Sequence, residues 1–246
     1  MSQSIPVLVE AERPRDGLAA LLLRADAVIT STRFPAAFTG QDSLADALAT
    51  LAAQLPRARL VVTTLGGGGC VALERVVQLD GTTGNDDGGI ADTLEAAMAS
   101  LFPPPHLAPS APLRGGGARP IAANARTHPR HVRLRHSESG AGTASHSSQW
   151  RVHAAPAAAL PGPAVDTTGA GDAFIGAMAF WLASTGWLCG TQSGAKRAAD
   201  DGGGGVGAAL RLACWVAAAN CCAAGARGGM PRRADVPPEL LPGYTI

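Results

Sequence analysis

The chain has 246 residues, enough for one sizeable α/β domain or a smaller domain with a long insertion. Its formal net charge is +1, so no global charge favours a nucleic acid or an anionic membrane as partner.

No stretch approaches the ~18 apolar residues of a membrane helix. Residues 1–6 lack the basic and apolar regions of a secretory signal. The five cysteines lack zinc-site spacing and are interpreted as free thiols. Together these features predict a cytoplasmic protein, with an organelle left open.

The first 80 residues alternate between strand and helix patterns. Residues 5–10 and 27–30 predict short strands, and the β-branched run 60–64 predicts a strand buried on both faces of a parallel sheet. One helix is expected after Pro14, and a second is expected to begin at Asp42-Ser43. Strands and helices that alternate with short links are typical of an α/β layer fold.

Residues 81–148 break this pattern. They are rich in Gly, Pro, Ser, Ala and Arg and show little apolar periodicity outside residues 90–101. A structureless connection of this length is unusual inside a compact domain, so a disordered insertion is predicted. Residues 114–135 carry six arginines and no acidic residue. A patch for a nucleic acid or an acidic partner is therefore considered, but a solvated loop is favoured because no aromatic residues are interleaved.

Order is expected again from Trp150 onward. Residues 151–155 predict a strand, and residues 173–182 predict a helix. A second helix is expected at about 207–224, with Gly225 as its stop. The glycine quartet 202–205 has no Gly-Lys-Ser or Gly-Lys-Thr after it, which favours a linker over a phosphate loop.

The residues that carry chemistry are 166–172, Asp-Thr-Thr-Gly-Ala-Gly-Asp, called the glycine turn below. A glycine-rich turn that opens a helix exposes unpaired backbone N–H groups, which with the helix dipole form an anion site. Asp172 lies in the first helical turn, where it can accept a proton from an attacking hydroxyl. The same pattern also fits a helix start in which Asp172 only offsets the dipole.

Followed by Ala173-Phe174, the glycine turn resembles the C-terminal signature of PfkB/ribokinase-type carbohydrate kinases. This resemblance implies that Asp172 is the general base for a sugar hydroxyl. It implies an anion hole from the amides of Gly169, Ala170 and Gly171. Asp166, Thr167 and Thr168 support the motif.

Three further segments resemble the same family in the same order. Residues 64–69 resemble the turn that lines the ATP pocket, with Thr64, Gly66, Gly67 and Gly69 as contacts. Ala224 and Gly225 resemble the turn that walls the adenine. The opening run 7–18, continued by 25–29, is most similar to the ketohexokinase-like branch, although Glu10, Glu12 and Arg13 can equally be surface charges.

The resemblance implies a ribokinase-like three-layer α/β/α fold with a mostly parallel sheet, whose N-terminal part and lid are expected to be missing. Residues 1–80 and 149–246 would form the nucleotide-binding part, with 81–148 inserted. ATP and Mg²⁺ are the implied cofactors. The implied substrate is a small sugar or nucleoside-like molecule, without a membrane partner, and a homodimer is compatible.

Departures from the family pattern keep alternatives open. Many members carry Asn-x-x-Glu after the second strand, where this chain has Ser31-Thr32-Arg33-Phe34, so the metal ligands stay unassigned. The front part that supplies most sugar contacts is expected to be absent. A truncated, non-catalytic fragment that keeps a nucleotide pocket is therefore the main competitor to an active kinase. An Arg-rich RNA-binding module is the third hypothesis.

Overall fold

The computed structural model describes residues 5–76, 89–101, 130–134, 149–188 and 205–243. The strands are β1 Leu8–Ala11, β2 Ala27–Thr30, β3 Leu60–Thr64, β4 Cys70–Val76, β5 Gly89–Ala91, β6 Arg130–Leu134 and β7 Gln149–Ala155. The α-helices are α1 Leu18–Leu22, α2 Phe34–Thr39, α3 Leu44–Gln54, α4 Leu94–Leu101, α5 Ala170–Ser184 and α6 Val206–Asn220. Short 3₁₀ turns lie at Gly66–Gly68, Arg233–Asp235 and Pro238–Leu240.

The strands form one mixed sheet in the order β1-β2-β3-β4-β7-β6-β5. β1, β2 and β3 are parallel neighbours, as the alternating pattern of the first 80 residues predicts. β4 runs antiparallel to both β3 and β7, and β6 runs antiparallel to β7 but parallel to β5. The strands β1, β2, β3 and β7 therefore all point toward the same edge of the sheet.

Helices cover both faces of this sheet because successive strand residues point to opposite sides. On one face, Val28, Val61 and Val71 pack with buried residues of α3 and α4. On the other face, Ile29 and Val62 pack with α5 and α6. The α/β/α architecture expected of a ribokinase-like fold is confirmed.

The structure corrects part of the predicted insertion. Residues 89–101 form β5 and α4, and residues 130–134 form β6. β5 and β6 belong to the sheet, and Leu94, Met98 and Val132 are buried in the core. These segments are therefore not a disordered insertion. Residues 81–88, 102–129 and 135–148, which hold most of the Arg-rich stretch, lie outside the described residues, as do 202–204 of the glycine quartet.

Several element boundaries also differ from the sequence prediction: β1 is Leu8–Ala11 rather than 5–10, and α5 begins at Ala170 rather than at residue 173. α6 ends at Asn220 rather than near residue 224, and Gly225, with φ 78°, follows in a turn instead of stopping the helix. α2, with Pro35 in its first turn, was not predicted. The cysteines at 70, 214, 221 and 222 are free, and Cys189 lies outside the described residues. None of the described helices has the length and apolar character needed to cross a membrane.

Candidate active site

A cleft of about 330 Å³ lies at the carboxyl ends of the parallel strands, where α/β sheets commonly bind ligands. We call it the strand-end cleft. It is lined by Glu10, Glu12, Ile29, Thr30, Ser31, Thr64, Gly169, Gly171, Asp172 and Ile175. The structure thus brings Thr64 together with Asp172 and two glycines of the glycine turn, from segments about 100 residues apart.

Hydroxyl groups fix the backbone at the rim of the cleft. The hydroxyls of Thr30 and Thr63 lie 2.6 Å apart in the buried sheet. Thr32 Oγ1 donates to the Thr64 carbonyl at 2.6 Å, and Ser31 Oγ donates to the Glu12 carbonyl at 3.0 Å. The ends of β1, β2 and β3 are therefore joined by side chains as well as by the ladder.

The glycine turn opens α5, and the burial pattern of this helix sets the orientation of Asp172. Residues 173–174, 177–178 and 181–182 of α5 are buried, which is the spacing of one helix face. Asp172 precedes this buried pattern and is exposed at the cleft. A carboxylate in the first helical turn interacts favourably with the helix dipole.

Three backbone N–H groups of the glycine turn have no hydrogen-bond acceptor among the described residues and could bind an anion. Gly169 is the N-cap of α5 in the left-handed region, with φ 79°. The N–H groups of Gly169, Gly171 and Asp172 donate no hydrogen bond to the described residues, whereas the Ala170 N–H donates to the Thr167 carbonyl at 3.2 Å. The structure thus differs from the implied anion hole at Ala170, whose N–H is already engaged. The Asp172 N–H has no such partner among the described residues and can contribute to the anion hole instead of the Ala170 N–H.

Asp166 ties the glycine turn to the segment that follows α6. Its Oδ1 accepts the N–H of Thr168 at 2.9 Å and the Thr168 hydroxyl at 2.7 Å. Its Oδ2 accepts the N–H of Gly225 at 2.8 Å. The Thr168 N–H, the Thr168 hydroxyl and the Gly225 N–H lower the pKa of the Asp166 carboxyl. Gly225 therefore has a defined partner in the site, and Ala224 is exposed beside it.

The other predicted nucleotide contacts lie outside the cleft lining. Gly66 and Gly67 are exposed in the β3–β4 turn. A Cβ at Gly69 would overlap the backbone of residues 155–157, so this glycine permits close packing of the turn against the end of β7. The 64–69 turn and the 224–225 segment thus meet opposite ends of the loop between β7 and α5.

Carboxylates give the strand-end cleft its charge. Glu10, Glu12 and Asp172 all line it. Within the described ranges, no three His, Cys, Asp or Glu side chains converge closely enough to hold a metal ion by themselves. This donor set fits a Mg²⁺ ion that is bound largely through substrate phosphates, with one or two carboxylates added, rather than a metal held in a protein cage.

Sequence reasoning missed two parts of the site. Ser31 lines the cleft, and its place at the end of a parallel strand is the sequence signal for such a position. Asn220, a polar residue in an Ala-rich helix, is fully buried and bonds the glycine turn. Its partner lies 52 residues away in the chain, so local pattern could not identify it.

Comparison with protein families gives one match that includes the glycine turn. Residues 119–233, just under half of the chain, match the model of the pfkB family carbohydrate kinases. This range contains β6, β7, α5, α6 and the 224–225 segment, but not residues 64–69. No curated protein sequence matches this chain.

Solved structures of sugar kinases are similar to the chain. A ribokinase from Giardia lamblia has 16% identity and a TM-score of 0.49, with 94% of this chain and 49% of the other covered. A double-mutant fructokinase from Vibrio cholerae O395, solved with fructose, ADP and potassium ion, has 18% identity and a TM-score of 0.44, with 87% of this chain and 40% of the other covered. A ribokinase from Thermotoga maritima has 13% identity and a TM-score of 0.43, with coverages of 93% and 54%. The chain spans about half the length of these structures.

Proposed function

We propose that this chain is the nucleotide-binding part of an ATP-dependent kinase that phosphorylates a hydroxyl of a sugar or related small molecule. The observation that carries this proposal is the strand-end cleft, in which Asp172 lies beside the free N–H groups at the start of α5. The pfkB family match over residues 119–233 supports it. The ketohexokinase-like branch stays a prediction from residues 7–18 and 25–29.

The proposed reaction needs a base and an anion site side by side. The Asp172 carboxylate accepts the proton of the substrate hydroxyl as its oxygen bonds to the γ-phosphorus of ATP. The bond between the γ-phosphorus and the β,γ-bridging oxygen breaks, and ADP leaves with that electron pair. The N–H groups of Gly169, Gly171 and Asp172 stabilise the negative charge on the transferred phosphoryl oxygens.

The nucleotide is proposed to lie along the loop between β7 and α5, with Thr64 at the cleft and residues 224–225 at its other side. Three carboxylates in the cleft repel the phosphates, and Mg²⁺ would neutralise this charge. Of the cleft carboxylates Glu10, Glu12 and Asp172, one or two would meet such an ion.

The test is a coupled ADP-release assay with a panel of sugars and nucleosides. Replacing Asp172 by Asn keeps the side-chain size but removes the base, and we expect kcat to fall by about 10²–10⁴-fold. Asp46→Asn is the matched control. Asp46 also lies three residues after an N-cap, in α3, and loses the same charge, but it is outside the cleft.

The outcomes separate the two leading hypotheses. Loss of activity in Asp172→Asn, with Asp46→Asn near wild type, supports the kinase. If the wild-type chain and Asp172→Asn release ADP at the same background rate, this chain is not a kinase by itself. Calorimetry with ATP then decides whether it is a non-catalytic fragment that keeps a nucleotide pocket.

A further inference from the structure

Asn220, the last residue of α6, contacts the glycine turn from the core. Its side chain is fully buried, and its Nδ2 donates to the Thr168 carbonyl oxygen at 3.0 Å. Its Oδ1 accepts no hydrogen bond from the described residues. Burying an amide is costly unless it is hydrogen-bonded, and the bond to Thr168 is the one the side chain makes.

This bond fixes the direction of the next N–H group. The described residues contain no cis peptide bond, and in a planar trans peptide the C=O and N–H groups point in opposite directions. Because Asn220 holds the Thr168 carbonyl toward the buried end of α6, the Gly169 N–H points away from it. Gly169 lines the strand-end cleft.

Asp166 cannot replace this contact. It holds the N–H and hydroxyl of Thr168, but an ionised carboxylate only accepts hydrogen bonds and cannot bind a carbonyl oxygen. An amide side chain supplies the required donor. Asp166 and Asn220 thus hold opposite ends of the same residue.

We propose that Asn220 is a positioning residue that aims the Gly169 N–H into the strand-end cleft. The role in catalysis rests on the proposed kinase function, but the geometry of the turn can be tested without activity.

The experiment follows the Gly169 amide by NMR while inorganic phosphate or ATP is added. In the wild-type protein we expect a shift of the Gly169 amide signal. Asn220→Ala, which has no donor, should reduce this shift strongly, and Asn220→Asp should act likewise at a pH at which its carboxylate is ionised and can only accept. Cys214→Ala is the control, because Cys214 is buried in the same helix and contacts Cys70 rather than the glycine turn.

Activity adds an independent readout. If the chain phosphorylates a sugar, Asn220→Asp should lower kcat by up to about 100-fold with little change in the KM for the sugar. If the chain has no activity, the proposed function fails, but the phosphate-induced shift at Gly169 still tests the role of Asn220.

Two results would overturn the proposal. One is the absence of a Gly169 shift in the wild-type protein, and the other is an equal shift in Asn220→Ala. If both Asn220 variants fail to fold, measurements on the wild-type protein test the proposed contact. A scalar coupling across the hydrogen bond between Asn220 Nδ2 and the Thr168 carbonyl carbon should be measurable, and its absence would refute the contact.

Discussion

At the scale of single residues, Gly169 has the strictest requirement. It has φ 79°, and a Cβ at this position would lie 2.7 Å from both the Cα and the carbonyl oxygen of Ala226. The positive φ and the short distance to Ala226 thus both require glycine at this position. The turn and the segment after α6 can approach each other only because this side chain is absent.

Gly169→Ala is therefore expected to destabilise the protein by about 1–3 kcal/mol and to abolish any phosphorylation. Gly176→Ala is the matched control in α5. Its Cβ would meet nothing within 4 Å, and it should stabilise by about 0.5–1 kcal/mol. Urea unfolding measures both effects, and equal stability of the two variants would contradict the steric argument.

At the scale of elements, β4 and β7 are joined by a half-buried charge cluster. Glu74 Oε2 lies 2.8 Å from His153 Nε2 and 3.5 Å from Arg151 Nη1. Burial raises the pKa of Glu74, but the hydrogen bond and charge of His153 and the charge of Arg151 outweigh it. The pKa of Glu74 therefore lies below its ordinary value of 4.5.

This shift predicts a pH dependence of stability. The folded state binds the Glu74 proton less tightly than the unfolded state, so the contribution of Glu74 is complete above pH 4.5 and is lost as the pH falls through the lower folded pKa. Glu74→Gln should cost about 1–3 kcal/mol at neutral pH and less in acid.

Urea unfolding of the wild type and Glu74→Gln at a series of pH values measures this difference. Glu239→Gln, at an exposed position in the last 3₁₀ turn, controls for the loss of one negative charge. A Glu74→Gln difference that does not shrink in acid would argue against an ionised Glu74 in the folded protein.

At the scale of the whole molecule, β6 is part of the domain. Val132 is 7% exposed, pairs with Val152 in β7 and belongs to the core on the α3–α4 face. RNA binding by the arginines of residues 114–135 could be tested by deleting residues 103–148, but this deletion would remove β6 as well. Such a test has to spare residues 130–134.

Val132→Asp places an unpaired charge in this core and is expected to lower the free energy of unfolding by more than about 3 kcal/mol. Val132→Ala, which leaves a cavity without a charge, should cost less. Urea unfolding followed by Trp fluorescence measures both. An unchanged midpoint in Val132→Asp would show that β6 does not contribute to the core.

Local sequence pattern is enough to predict several parts of this protein. β2 and β3 were predicted at their observed bounds, because a β-branched apolar run with flanking turn residues leaves few alternatives. Glycine spacing and the apolar pattern after residue 172 predicted that Asp172 lies in the first turn of a helix, although α5 begins at Ala170 rather than at the predicted residue 173. The assignment of Asp172 as the base stays a prediction.

Strand pairing and side-chain contacts that depend on partners distant in the chain could be seen only in the folded structure. β5 and β6 are short, and they are stabilised by pairing with neighbours rather than by their own composition, so the insertion prediction failed there. The grouping of Thr64 with Asp172 required the sheet to bring strand ends together. The role of Asn220 depends on one hydrogen bond across 52 residues, which no local propensity could reveal.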